Sequence, residues 1–224
     1  MIFNYFAFLI IGMISTNFLY SQSVVTDITR DDSGQILTIE YFNTSLMKVR
    51  LMKMETYYSN GQIQILDTYQ NGKKNGDHLE YYDNGKLKKK GQFIEGDASG
   101  LWNTFYSNGK IERMFYANKN GMHGSINEWY ENGEKKINGV YNNGVKDGVW
   151  ISWYPTGIKE SMLTYNNGNK EGVFIYYYEN GNKKSEGVFD YKGEKEDSMS
   201  VHIIGPLEVL EESYLIVLLK VKYK

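Results

Sequence analysis

A chain of 224 residues with 25 Lys and Arg against 27 Asp and Glu carries a formal net charge of −2, which gives no overall field to gather nucleic acid or an anionic membrane. Cys is absent, and that excludes disulfides, thiolate metal ligands, a cysteine nucleophile and a lipidated cysteine anchor. The 20 Tyr and 23 Gly with only 2 Pro favour strands and tight turns over helices, hence an all-β chain.

Residues 1–22 open the chain with an uncharged run from Ile2 to Leu19, and Ser21-Gln22-Ser23 offers small residues for cleavage. The pattern predicts a secretory signal peptide, although no Lys or Arg stands near Met1. An uncleaved membrane anchor and a buried first strand are the other readings of the same run. Cleavage would make the mature protein an exported one, periplasmic, outer-envelope or secreted. Residues 23–54 read as lead-in strands or a degenerate repeat.

From residue 55 to 197 the sequence repeats itself. Tyr57-Tyr58-Ser59-Asn60-Gly61 returns every 24 residues, so that Tyr58, Tyr82, Tyr106, Tyr130, Tyr154 and Tyr178 form one column and Gly61, Gly85, Gly109, Gly133, Gly157 and Gly181 another. Six aligned glycines arise by chance about once in a million at the usual glycine frequency. A second glycine column runs through Gly76, Gly100, Gly124, Gly148 and Gly172, usually preceded by a pair such as Asn71-Gly72 or Glu95-Gly96. Each unit therefore carries two turns. Between them lie stretches of strand length such as Val149 to Tyr154, rich in β-branched and aromatic residues.

The expected fold is an elongated antiparallel sheet of about six stacked β-hairpin repeats. The Asn-Gly of Tyr-x-Asn-Gly predicts a two-residue type I′ turn, since both positions tolerate positive φ, and a looser glycine turn closes each unit. Side chains alternate between faces, which sets Trp102, Trp150 and Phe174 in one row and Phe105, Trp129, Trp153 and Tyr177 in a row on the other face. Gly91, Gly139 and Gly187 weaken the return strands unless an aromatic ring lies across them; the alternative is a local bulge. An isolated hairpin is marginal in water, so neighbouring units must stabilise one another.

After Glu194 the repeat decays, and residues 198–224 hold no further complete unit. A degenerate cap is one reading and a frameshifted end the other, because Tyr214 to Val221 turns abruptly apolar.

The recurring Tyr-Tyr-x-Asn-Gly followed by Tyr-x-Asn-Gly-x-Lys-x-Gly, with Lys146-Asp147-Gly148-Val149-Trp150 and Lys170-Glu171-Gly172-Val173-Phe174 as its closest copies, resembles the MORN repeat variant, a bacterial relative of the eukaryotic MORN repeat. The resemblance spans roughly residues 57–196. It implies an extended sheet that scaffolds partners or touches lipid, with some members labelled antitoxins of the YwqK type, and it brings no catalytic residue.

Chemistry finds little footing along the chain. His78, His123 and His202 share no metal-ligand spacing, and His78 holds the position that Trp102 and Trp150 fill elsewhere. Glu80 and Glu128 recur at one repeat position, where copying argues for packing rather than acid–base work. Lys74, Lys146 and Lys170 read as solvated turn residues. No nucleophile elbow, phosphate loop or dinucleotide fingerprint appears, so neither an enzyme nor a cofactor is expected. The candidate partner-binding aromatics are Trp102, Trp129, Trp150, Trp153, Phe174 and Tyr177, because ladders of rings suit protein hot spots or flat ligands. The expected function is a non-catalytic scaffold gripping a protein partner through the sheet edge or the aromatic face. Neutralisation of a toxin and binding of envelope glycan or lipid headgroups are the alternatives.

Overall fold

The computed structural model describes residues 23–45, 48–190 and 192–194. The expected signal peptide, the tail from 198 onward and His202 lie outside the described residues. Within them fourteen strands follow one another: β1 Ser23–Arg30, β2 Ile36–Ser45, β3 Lys48–Tyr57, β4 Ile63–Gln70, β5 Lys73–Tyr81, β6 Leu87–Ile94, β7 Asp97–Phe105, β8 Ile111–Asn118, β9 Gly121–Trp129, β10 Lys135–Asn142, β11 Val145–Trp153, β12 Lys159–Asn166, β13 Asn169–Tyr177 and β14 Lys183–Phe189. Their order in space is their order in sequence, in a single antiparallel sheet. Strand neighbours lie about 4.8 Å apart, so one two-stranded unit advances the sheet by about 10 Å.

Both turns are tight, but their types are exchanged relative to the sequence-based expectation. At Tyr-x-Asn-Gly the Gly61 N–H donates to Tyr58 O (2.9 Å) and the Tyr58 N–H to Gln62 O (2.9 Å). Gly61 alone takes positive φ, at 82°. This is a type I turn closed by a left-handed glycine, and Asn60 Oδ1 accepts the Gln62 N–H at 3.0 Å, the side-chain mimicry that makes Asn a turn former. The type I′ turn sits at the other end: Asn71 (φ 52°) and Gly72 (φ 79°), with Asn143-Gly144 and Asn167-Gly168 alike. Glu95 enters the same left-handed region at 52° without the help of an Asn side chain.

The second glycine column marks bulges rather than turns. Lys90 pairs with Asn103 and Gln92 with Ser99, so Gly91 faces the three-residue bulge from Gly100 to Trp102. Asn138 with Ile151 and Val140 with Asp147 repeat the pattern opposite Gly139. The bulge aims the tryptophan back across the glycine. A Cβ on Gly91 would stand 2.2 Å from Trp102 Cδ2, and one on Gly139 2.4 Å from Trp150 Cδ2. At these two glycines ring cover and bulge, offered by the sequence as alternatives, occur together as two halves of one device, whereas Gly187 is covered by Phe174 in plain register.

This device gives a one-layer sheet its core. With no second layer among the described residues to pack against, burial is made within a row that crosses the strands, where His78, Gly91, Trp102, Phe115, Ile126, Gly139, Trp150, Leu163 and Phe174 follow in register. Trp102, Ile126, Trp150 and Phe174 are buried there. Beside the row, Phe93 meets Trp102 edge-on at 5.2 Å, Tyr141 meets Trp150 at 4.9 Å and Phe189 meets Phe174 at 4.6 Å. Each such pair contributes about 0.5–1.5 kcal/mol beyond its area.

Candidate functional site

Two faces of unequal character result. The ring face carries the core row with basic side chains laid over it. Lys146 Nζ lies 4.2 Å from the centroid of Trp150 and 5.0 Å from that of Tyr165. Lys170 sits 5.5 Å over Phe189, Lys74 5.3 Å over Phe93 and Lys89 4.9 Å over Trp102. Lys74, Lys146 and Lys170 therefore lie on strands over rings, not in solvated turns as the sequence suggested. Their stems cover aromatic carbon while their ammonium groups exploit the negative ring faces. Lys74 is matched by a 2.7 Å ion pair to Asp67, whereas Lys89, Lys146 and Lys170 have no carboxylate within 4.0 Å among the described residues. Burial, and then repulsion from Lys170, push the Lys146 ammonium below its ordinary pKa. An anion brought to Lys146 and Lys170 would meet two ammonium groups that no ion pair holds.

Four clusters of ionisable groups interrupt the faces, and each is paired internally. Asp67, 1% exposed, accepts from Lys74 and from His78 Nδ1 at 2.7 Å. Burial alone would raise its carboxyl, but the bonds and charges of His78 and Lys74 outweigh it and hold the group below its ordinary value. Asp67 and His78 occupy the slots filled by Gly91 and Trp102 one unit later, so a hydrogen-bonded pair replaces a ring on a glycine. His78 thus belongs to the aromatic row, packed 5.5 Å from both Phe93 and Trp102.

Glu55, buried where the lead-in strands meet the array, accepts from Tyr57 Oη (2.6 Å), Tyr41 Oη (2.8 Å) and Lys53 Nζ (3.0 Å). Its carboxyl is lowered because those bonds overcome burial, while burial and the Glu55 charge push both tyrosines up. Three donors on one carboxylate close the cluster on itself. No sequence pattern pointed to this cluster, since Glu55 stands where later units have Leu79 and Asn103; the departure itself was the available signal.

Glu80 and Glu128 each bind their own cation, Lys88 at 2.6 Å and Arg113 at 2.7 Å. Four strand spacings part them, about 19 Å, against the roughly 5–9.5 Å between paired catalytic carboxyls. His123 lies at the start of β9 and accepts the Asn143 N–H at 3.3 Å. Among the described residues no group of three or more His, Asp or Glu is placed to hold a metal ion.

The six candidate binding aromatics divide between the faces. Trp102, Trp150 and Phe174 are 2%, 6% and 4% exposed and serve as core, so their rings are closed to a flat ligand by the packing that buries them. Trp129, Trp153 and Tyr177 stay half-buried on the opposite face. There they pair with Lys135, Lys159 and Lys183, and Lys135 Nζ lies 5.8 Å over the Trp153 ring.

The tyrosine column joins the units at one rim. Tyr58 Oη donates to Tyr81 O (2.8 Å), Tyr82 to Phe105 O (2.7 Å), Tyr106 to Trp129 O (2.6 Å), Tyr130 to Trp153 O (2.8 Å) and Tyr154 to Tyr177 O (2.8 Å). At the other rim the type I′ turns bond backward, Gly96 N–H to Lys74 O and Gly168 N–H to Lys146 O, both 2.8 Å.

The family model of the MORN repeat variant matches residues 50–71, 74–95, 98–119, 146–167 and 170–191. The unmatched stretch is the β9–β10 hairpin, which follows the turn that shifts its glycine to Gly121 and keeps the sheet register all the same. No curated protein matches the chain.

Proposed function

From the premise that the chain belongs to the MORN repeat variant family, a repeat fold suited to binding, we propose a non-catalytic scaffold that holds an acidic segment of a protein partner along its ring face. Lys146 and Lys170, side by side along the type I′ margin of the ring face, carry the proposal. Each of the two ammonium groups lies on an aromatic ring with no carboxylate within 4.0 Å among the described residues, and the two recur at the unit spacing. A segment with acidic residues along one side would regain for both what burial costs Lys146. The uncharged leading run supports a site of action outside the cytoplasm.

Fluorescence anisotropy with a labelled glutamate-rich peptide tests the idea. Binding should weaken as salt rises, and Lys146→Gln with Lys170→Gln should weaken it about tenfold, about 1.4 kcal/mol. Lys159→Gln, on the opposite face, should leave it unchanged. A flat titration of the wild-type chain defeats the reading. The antitoxin-like alternative is the special case in which the acidic segment belongs to a toxin, and the same lysine variants would then lose protection. A glycan or headgroup ladder rests on Trp129, Trp153 and Tyr177, the half-buried rings; quenching of tryptophan fluorescence by envelope polysaccharide would separate it from the first reading.

A further inference from the structure

The face opposite the rings is the more exposed in apolar terms. Leu101 (40% exposed), Tyr116 (47%), Val140 (40%) and Val149 (39%) stand on it together, since Leu101 pairs with Tyr116 and the other two continue the row through Ser125 and Thr164. Next to them runs a row through Met114, Ile151 and Met162, followed by the rings of Trp129 and Trp153. Between Met114 and Ile151 that row passes through Asn127 and Asn138, which bond to each other at 2.9 Å and so need no outside partner; exposed apolar side chains grouped in this way mark an interface.

The charges at its margins say what covers it. Along the rim of the Tyr-x-Asn-Gly turns stand Lys135 and Lys159, both exposed. Along the rim of the type I′ turns stand Asp147, paired across to Val140, and its repeat equivalent Glu171. One face thus carries a positive margin, an apolar middle and a negative margin. We propose that a second copy of this chain packs on it, face to face, about a two-fold axis that runs along the array through the Ile151 row. Such an axis reverses strand direction while keeping the units in step. It lays Lys135 and Lys159 over the second copy's Asp147 and Glu171, and sets Val149 against the second copy's Trp153. The contact is isologous, so it closes at two copies.

Area agrees with this assignment. From β7 to β13 the face measures about 34 Å across the strands and about 30 Å along them, on the order of 1,000 Å² per copy, and stable interfaces bury about 800 Å² per partner. Aligned sheets pack about 10 Å apart, which supplies the second layer that a lone sheet lacks. The interface is independent of the ring face and of any ligand held there.

Sedimentation equilibrium of the full chain should return twice the chain mass. Val149→Glu with Tyr116→Glu should give monomers with unchanged far-UV circular dichroism. Lys135→Glu with Lys159→Glu should raise the dimer dissociation constant at least tenfold, and adding Asp147→Lys with Glu171→Lys should restore it. Should the first pair unfold the chain, the rim charges, which lie outside the core, decide alone. A monomeric wild-type chain, or a dimer indifferent to the rim reversal, overturns the proposal.

Discussion

Gly91 and Gly139 lack the one carbon that would collide with a tryptophan, and this makes them the most sensitive single positions in the sheet. Gly91→Ala or Gly139→Ala places a Cβ 2.2 or 2.4 Å from an indole carbon, closer than any packed contact, so the ring must leave its well. Overpacking of this kind costs about 1–3 kcal/mol, and the urea midpoint of each variant should fall accordingly. Gly187→Ala, at 2.9 Å from the smaller Phe174 ring, should lower it less. The columns announced this arrangement in part: the glycine position reads Asp67, Gly91, Phe115, Gly139, Leu163, Gly187, and Trp102 and Trp150 each follow a glycine. Alternation along a strand gave the face of each tryptophan correctly but not its burial. A ring on a flat sheet is open to water, and only the bulge, which pairing alone reveals, folds it over its neighbour.

Asp67 offers a second test at the same scale. Its folded pKa is depressed, so the stabilisation by His78 and Lys74 is fully present above the unfolded value of about 3.9 and is lost as pH falls through the folded value. Stability of the wild-type chain should therefore drop below about pH 4. Asp67→Asn should remove that part of the slope and cost about 2 kcal/mol at neutral pH, the worth of a buried hydrogen bond to a charged group. Denaturant melts at several pH values measure both.

Among the elements, the two turns differ in the number of residues between paired positions. Tyr57 pairs with Ile63 with five residues between them, while Gln70 pairs with Lys73 and leaves room for Asn71 and Gly72 alone. Asn-Gly occurs at both, which is why residue type by itself exchanged their assignments; the period was legible and the strand ends were not. The left-handed positions make the distinction measurable. Asn143→Ala and Asn167→Ala, at φ 49° and 47°, should each cost about 1 kcal/mol. Glu95→Asn should gain a few tenths of that, since Asn tolerates the conformation Glu95 now holds. Asn143→Gly and Asn167→Gly should recover most of the alanine loss, since glycine adopts positive φ freely; glycine variants no more stable than the alanine ones would contradict the assignment of turn types.

Across the whole molecule the units act through nearest neighbours, and the tyrosine rim is where that coupling can be cut without touching the core. Each phenol from Tyr58 to Tyr154 donates to a carbonyl of the following unit, whereas Tyr178, at the end of the series, is 49% exposed. A linear array divides its stability into unit terms and interface terms, so removing one hydroxyl in the middle weakens a single interface. Tyr106→Phe should cost about 1 kcal/mol, and hydrogen exchange should show the loss spread over the units on either side of the Tyr106–Trp129 contact. Tyr178→Phe should cost almost nothing. If instead the two substitutions cost the same, the column would be held by ring packing alone and the hydroxyl bonds would be bystanders. The gradient expected in the wild-type chain follows from the same reasoning: protection should peak between β7 and β12, where every unit has neighbours on both sides, and decline toward β14. The far end should fall less steeply, because Glu55 with Tyr41, Tyr57 and Lys53 ties the lead-in strands to the first repeat.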